Sequence, residues 1–248
     1  MLLQSLVFYG ATFYGGVAET LSRNAEDVLS ERVSTQRNVL ETMFTTQWTN
    51  FSAYSAGIKR VYDTLSAETG EKVGESADLQ RSMLEASAPT LISMLRGNGV
   101  TGVFLILNDA ERYTPRAKSE SQTKYGICIR DYEPASEYTG TEDLMLVRCP
   151  VALTRTIGCS MEAWWEALFT FSDATPGDYF YKPLKLAYEH PDSDPTNLAY
   201  FDSVHNFGQN DRAVVSYSLP LMDDNGYPYA VLGIELTTDY LKTLLPAA

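Results

Sequence analysis

The sequence predicts an α+β protein: a long N-terminal helix, a shorter second helix and an antiparallel sheet of about five strands. Two patterns predict this class. Apolar residues recur at helical spacing from residue 19 to about residue 65, whereas the segment 214–245 reads as strand, tight turn, strand and closing helix. At 248 residues with 44% apolar side chains, the chain can bury a core of one large or two small domains.

The first eighteen residues, 1–18, carry no charged side chain. They predict the outer end of a transmembrane helix, and the alternative is an interfacial or buried helix. The sequence then divides into a helical region over 19–96 and a ligand-binding domain over 97–248.

The helical pattern over 19–65 contains no proline. A helix of that length would extend roughly 70 Å, which is too long to be buried in one compact domain. We therefore expect a stalk that rises from the membrane and packs on its own sheet or on a second copy. The apolar stripe predicts a homodimer through the stalk, near Leu40, Met43 and Trp48.

A second helix is expected to begin at Ala77 with Ser76 as its N-cap and to end at the glycines around residue 98. Pro89 should break or kink it. Strands should follow at 100–107 and 125–130. The segment 131–207 is predicted to be irregular and, since it is long and rich in aromatic residues, functional.

The final hairpin has the two-residue period of a half-buried strand, followed by a turn at 223–226. On the return strand, Glu235 places a carboxylate in mid-strand beside Gly233, which is unusual for a plain core face. The two predicted faces are Ala230, Leu232, Ile234 and Leu236 on one side, and Tyr229, Val231, Gly233 and Glu235 on the other.

Composition argues against several functions. A formal charge of −13 disfavours binding to nucleic acid or to anionic lipid. Cys128, Cys149 and Cys159 form no CxxC pair and are expected to be small buried hydrophobes. With His190 and His205 as the histidines, we predict no metal site and no cofactor. Motifs such as GxSxG, HExxH and GxGxxG are absent, so we predict no enzyme in this region.

The hairpin ending in YAVLGIEL, followed by DYLKTLL, resembles the last two strands of a Cache domain. The runs RDYEP (130–134), EDLMLVRCP (142–150), DYFYKP (178–183) and LAYFDS (198–203) are similar to segments of double-Cache sensors. This resemblance implies a PAS-like sensor on the extracytoplasmic side of the cell membrane. It also implies receptor hosts such as diguanylate cyclases or histidine kinases. The chain would be the membrane-distal half with its stalk; double-Cache sensors carry a second, membrane-proximal PAS-like domain after the closing helix.

Amino-acid-binding members of this family hold the ligand with an arginine, an aromatic pair, a Tyr-x-Asp motif and a final acid. The arginine position here is Asp178, which removes the anchor for a ligand carboxylate. The resemblance therefore favours a small amine or other cation, since carboxylates and aromatic faces both attract positive charge. The candidate ligand-binding residues are Asp178, Phe180, Tyr181, Tyr200, Asp202, Tyr217, Glu235 and Trp165.

Each of these residues has a structural alternative. Asp178 can cap a helix, Lys182 can neutralise the acids, and Trp164 and Trp165 can be packing residues. The alternative function is a ligand-free dimerisation, relay or protein-interaction module. A closed, polar-lined cavity at the predicted acids would favour the sensor, and side chains filling that space would favour the alternative.

Overall fold

The computed structural model describes residues 23, 26–28, 30–117, 119–134, 140–208 and 210–244. The chain divides into two compact units, residues 1–46 and 47–248. The predicted membrane segment 1–18 lies outside the described residues. Among the residues that are described, no helix combines the length and the apolar character that a membrane span requires.

The long N-terminal helix predicted to reach residue 65 is interrupted. The described helix α1 (30–43) passes into a π-helical turn at Phe44–Trp48, and α2 (Ser52–Thr69) begins after a short non-helical link. The side-chain amide of Asn98 donates to the carbonyls of Trp48 at 3.0 Å and of Asn50 at 3.2 Å. These bonds satisfy carbonyl groups that the interrupted helix leaves without partners. Trp48, predicted to lie near a dimer interface, is buried within the second unit.

The second predicted helix is confirmed as α3 (Ala77–Asn98). The Ser76 hydroxyl accepts a hydrogen bond from the Leu79 amide at 3.4 Å, and Gly99 ends the helix with φ +60°. The predicted break at Pro89 does not occur, because α3 continues through that residue.

The fold class is confirmed, and the sheet is larger than predicted: seven strands in the order β5-β4-β3-β1-β9-β8-β7. All neighbouring pairs are antiparallel except β4 with β5. A separate two-stranded sheet pairs β2 with β6. The strands are β1 Gly102–Leu107, β2 Gln122–Lys124, β3 Gly126–Asp131, β4 Leu144–Arg148, β5 Ser160–Glu166, β6 Phe169–Phe171, β7 Tyr200–Phe201, β8 Val214–Met222 and β9 Pro228–Thr237.

The segment 131–207 was predicted to be irregular, and this is wrong. It contains β4 and β5, which extend the main sheet, and two helices, α4 (Thr154–Ile157) and α5 (Asp178–Glu189). Pro183 lies inside α5 and lacks the amide that would bond to the Tyr179 carbonyl. The Ser218 hydroxyl donates to that carbonyl instead, at 2.6 Å, and so fastens α5 to β8.

The two faces of the sheet are covered by different helices. Ser218 reaches α5, whereas the neighbouring Tyr217 packs on Phe51 at the start of α2, with ring centroids 5.5 Å apart. Successive side chains of a strand point to opposite faces, so α2 and α5 lie on opposite sides of β8. Strand β9 is buried along its whole length, and a short closing helix, α6 (Thr238–Thr243), follows it directly.

Tyr229 does not share the face of Glu235, contrary to the prediction. The β8–β9 register shifts between Leu221 and Met222, which pair with Ala230 and Pro228 and leave Tyr229 unopposed. The ring of Tyr229 stacks on Tyr62 of α2 at 3.9 Å.

The three cysteines are buried, as the sequence predicts, and all three are free. Burial raises the pKa of Cys149 to about 12 and that of Cys159 to about 11, and it raises the pKa of Cys128 as well.

Folded thiols will therefore stay protonated at pH 8 and react with a thiol-specific disulfide reagent only after unfolding. Because unfolded thiols ionise near pH 9.0, stability should fall as the pH rises from 9.0 towards about 11. Rapid labelling of the native protein would contradict this prediction.

Candidate functional site

A buried ion cluster lies on the α5 face of the sheet. Arg130 of β3 donates from Nε and Nη2 to the carboxylate of Glu235 on β9, and from Nη1 and Nη2 to the carboxylate of Asp211. The Nη2 distances are 3.1 Å to Glu235 and 3.0 Å to Asp211. Arg130 and Glu235 have no exposed surface. One guanidinium thus joins two strands of the sheet to a loop that follows β7.

Strand register brings these side chains together. Gly102 of β1 is opposite Arg130 on one side and opposite Glu235 on the other. A Cβ at position 102 would lie 2.4 Å from Glu235 Oε1, so the glycine provides the room for the ion pair. The sequence suggested that Gly233 leaves room beside Glu235. In the structure, Gly233 instead makes room for the ring of Phe104, which lies 2.1 Å from the position that a Cβ on residue 233 would take.

The electrostatics of the cluster follow from its burial. Desolvation raises the pKa of Glu235, and the Arg130 guanidinium opposes that rise. The two carboxylates hold the pKa of Arg130 well above its ordinary value despite desolvation, so Arg130 stays charged. Glu235 is therefore occupied by a partner from its own chain, which corrects the prediction that it faces a ligand.

The loop joining β7 to β8 covers this part of the sheet, and we call residues 202–208 and 210–213 the cover segment. Phe207 anchors it in the aromatic core, with ring centroids 4.8 Å from Tyr179 and 5.5 Å from Phe104. The Phe207 carbonyl accepts a hydrogen bond from Nη2 of Arg148 at 2.9 Å. Together with Asp211, these contacts hold the segment against the strands.

An open cavity of about 430 Å³ lies between the start of α5 and the cover segment. We call it the acidic cavity, because the carboxylates of Asp178 and Asp202 border it. Its wall also contains the stacked rings of Tyr179 and His205, with centroids 4.7 Å apart. The His205 Nδ1 lies 2.8 Å from the Ser203 carbonyl, so it donates there, and Nε2 accepts from the Ser216 hydroxyl at 3.1 Å.

Asp202 has a structural role at this cavity. Its carboxylate accepts hydrogen bonds from the amides of Tyr179 at 3.1 Å and Ser203 at 2.8 Å. Gly177 precedes α5 and has no side chain to cap the helix, so Asp202 supplies the cap from another part of the chain. The Asp202 side chain is 7% exposed. Among the described residues, the nearby side chain that can carry a positive charge is His205, whose Nδ1 lies 3.7 Å from the Asp202 carboxylate.

Asp178 lies in the first turn of α5 and is not its N-cap. It pairs with Lys182 at 2.9 Å, and Lys182 also donates to the Tyr200 hydroxyl at 2.8 Å. The side chains of Asp178 and Lys182 are about half exposed. Lys182 therefore neutralises Asp178 at the rim and does not fold inward to Asp202 or Glu235.

The other predicted residues lie elsewhere. Phe180 is buried in the aromatic core, and the Tyr181 hydroxyl donates to Gln122 at 2.7 Å beside a different cavity of about 300 Å³. Tyr217 faces α2, and Trp165 lines a cavity near Arg148. The structure thus brings Asp178 and Asp202 to one cavity, with Tyr200 linked through Lys182. It does not bring Glu235, Phe180, Tyr181, Tyr217 or Trp165 to the same place.

Sequence reasoning missed Arg130, Arg148 and Asp211. A signal for two of them was present, because Arg130 and Arg148 interrupt the apolar runs YGICIR and LMLVRC as Glu235 interrupts its own strand. A charged residue inside a buried strand needs a partner. Over the ranges that the structure describes, no group of His, Cys, Asp and Glu side chains could hold a metal ion.

No family model matches the chain, and no curated protein matches it. Among solved structures, the periplasmic sensory domain of the Campylobacter jejuni chemoreceptor Tlp1 is 12% identical with a TM-score of 0.42, over 90% of this chain and 64% of that one. The ligand-binding domain of the Campylobacter jejuni chemoreceptor Tlp3 in complex with L-norvaline is 13% identical with a TM-score of 0.39, over 89% and 62%. The chain spans less than two thirds of these structures, and at this similarity no residue role transfers from them.

Proposed function

We propose that the chain is a non-catalytic sensor domain of a membrane receptor that binds a small molecule on the extracytoplasmic side. This proposal rests on one observation, the acidic cavity between α5 and the cover segment. Asp211 of the cover segment forms an ion pair with Arg130 of β3, which also pairs with Glu235 of β9. Polar groups converge there on an open space beside a segment whose ion pair with Arg130 links it to the sheet. The resemblance of the hairpin to Cache domains supports the same function, and hosts such as diguanylate cyclases or histidine kinases belong to this proposal.

The charge of the cavity favours a small amine or other cation. Lys182 compensates Asp178, whereas Asp202 is buried and receives neutral amide donors. A buried carboxylate without a full counter-charge gains from a cationic partner.

A thermal-shift screen with amines, amino acids, organic acids and nucleobases tests this proposal. A ligand at 100 times its dissociation constant adds about 2.7 kcal/mol to the free energy of unfolding. We expect amines to raise the midpoint, and Asp202→Asn to abolish the rise while its remaining oxygen still accepts from the Tyr179 amide. Asp63→Asn is the matched control, because Asp63 pairs with Lys59 on α2, on the side of the sheet opposite to this cavity. If no amine raises the unfolding midpoint of the native chain, the amine site is wrong.

Signal relay is proposed to run through the cover segment. Asp211 of the cover segment and Glu235 of β9 both bond to Arg130, and β9 leads directly into α6. A ligand that repositions the cover segment therefore alters the contacts that Arg130 makes with the strand before α6. A ligand shifts such an equilibrium only by binding one state better. Hydrogen exchange in α1 and α6 should therefore change when a stabilising amine saturates the protein. Identical exchange with and without that amine would rule out the relay.

One observation favours the alternative, a relay or protein-interaction module without a ligand. Among the described residues, Arg130, Asp211 and Phe207 fill the space in front of Glu235, which has no exposed surface and therefore does not open onto the acidic cavity. The screen separates the two functions, because a module without a ligand will show no saturable stabilisation by any compound class. Dimerisation through the stalk is proposed for both functions, and light scattering at high protein concentration tests it.

A further inference from the structure

A second polar cavity, of about 330 Å³, lies on the other side of Gly208 from the acidic cavity. Arg148 of β4, Trp165 and Glu166 of β5, and Asn210 and Asp211 of the cover segment line it. We call it the Arg148 cavity. None of these residues belongs to the acidic cavity, so the two sites can be altered separately.

Arg148 is a buried cation with an incomplete set of partners. Its side chain is 1% exposed. Nη1 donates to the Val147 carbonyl at 2.8 Å and to the Trp164 carbonyl at 3.5 Å, and Nη2 donates to the Phe207 carbonyl at 2.9 Å. The counter-charge is Glu166, whose carboxylate is 3.3 Å from Nη2 and whose side chain is 51% exposed. A buried guanidinium is thus balanced by a carboxylate that is half in solvent.

Two buried donors at this cavity have no acceptor. Within the part of the chain that the structure describes, Arg148 Nε and Trp165 Nε1 are both buried and make no hydrogen bond. Buried donors are almost always paired in folded proteins, and an unpaired one is costly. The guanidinium Nε and the indole Nε1 both need a hydrogen-bond acceptor, and the guanidinium is positively charged. Gly208 allows the chain to pass close to the guanidinium, since a Cβ there would be 2.7 Å from Nη2.

We propose that the Arg148 cavity binds a small monocarboxylate. One carboxylate oxygen accepts from Arg148 Nε and the other from Trp165 Nε1, and the ligand replaces Glu166 as the counter-ion of Arg148. The two oxygens of a carboxylate can accept from two separate donors, and the charge of the guanidinium strengthens its bond to one of them. A phosphate dianion fits less well, because Asp211 and Glu166 also line the cavity and repel a second negative charge. This inference goes beyond the amine site, and its outcome is independent of that proposal.

Nuclear magnetic resonance of the indole N–H groups tests the proposal. The full chain, labelled with ¹⁵N-tryptophan, is titrated with sodium acetate and sodium propionate at constant ionic strength. We expect a saturable downfield shift of the Trp165 indole signal, because a hydrogen bond to a carboxylate deshields that proton. Trp48 is the internal control, since its indole N–H is also buried and unpaired but lies outside the cavity. Acetamide and chloride should have no effect, and inorganic phosphate should bind more weakly than acetate.

Two conservative variants complete the test, with affinity measured by calorimetry. Trp165→Phe keeps an aromatic ring and removes a donor that has no partner in the free protein, so it should fold normally and bind acetate about tenfold more weakly. Glu166→Gln removes the internal competitor and should bind acetate several-fold more tightly. An equal shift with chloride, or unchanged affinity in Trp165→Phe, would overturn the carboxylate site. Loss of binding in Asp202→Asn with Trp165→Phe unaffected would assign the carboxylate to the acidic cavity instead.

Discussion

Arg130→Met should lower the free energy of unfolding by about 3–5 kcal/mol, because it leaves two buried carboxylates without their cation. Glu235 has no exposed surface, and the side chain of Asp211 is 4% exposed, so solvent cannot replace the guanidinium. The desolvation of Glu235, which raises its pKa, would then be unopposed by the Arg130 charge. Urea unfolding at neutral pH measures the change.

Arg60→Met is the matched control, since Arg60 is exposed on α2 and donates only to the backbone carbonyl of Ala56. It should change stability by about 0.5 kcal/mol or less. Adding Glu235→Gln and Asp211→Asn to Arg130→Met should recover part of the loss, because the unpaired charges are then gone. An Arg130→Met protein as stable as the native chain would show that the cluster does not hold the cover segment.

Phe207→Ala should cost about 3–5 kcal/mol, the range for truncating a buried aromatic side chain. The ring is 2% exposed and contacts Phe104, Phe169 and Tyr179. Its removal leaves a cavity beneath the cover segment and releases the carbonyl that Arg148 binds. We also expect the substitution to accelerate hydrogen exchange more in the cover segment than in β9, which pairs with β1 on one side and β8 on the other.

Phe201→Ala provides the comparison, because the Phe201 side chain is 53% exposed on the edge strand β7. That substitution should cost about 0.5 kcal/mol or less. If the two variants lost equal stability, Phe207 would not be the anchor of the cover segment. Calorimetric melting of both proteins, at the same concentration, decides between these outcomes.

Local signals in the sequence predicted much of the fold. Ser76 caps α3, and Gly226, with φ +76°, closes the β8–β9 hairpin through a turn in which Asp223 accepts from the Asn225 and Tyr227 amides. These features depend on residues within a few positions of one another, so propensity and turn chemistry are sufficient. The break between α1 and α2 was missed because its partner, Asn98, is distant in sequence.

The candidate site was harder to predict for the same reason. Arg130, Asp211 and Glu235 are separated along the chain and meet only through the β3-β1-β9 register and the return of the cover segment. Glu235 was singled out correctly as an unusual residue, but its partner could not be inferred from spacing. Asp178 and Asp202 were predicted to share a site, and the structure places both at the acidic cavity.

The most direct test of small-molecule binding at the acidic cavity is a ¹H–¹⁵N correlation titration with the amine that stabilises the protein most. The proposal predicts saturable shifts concentrated in residues 174–179, 202–206 and 208, which line the cavity. Smaller shifts should follow at β9 and α6 through the Arg130 cluster. Saturable shifts centred elsewhere, or no saturable shift with any amine, would contradict the account.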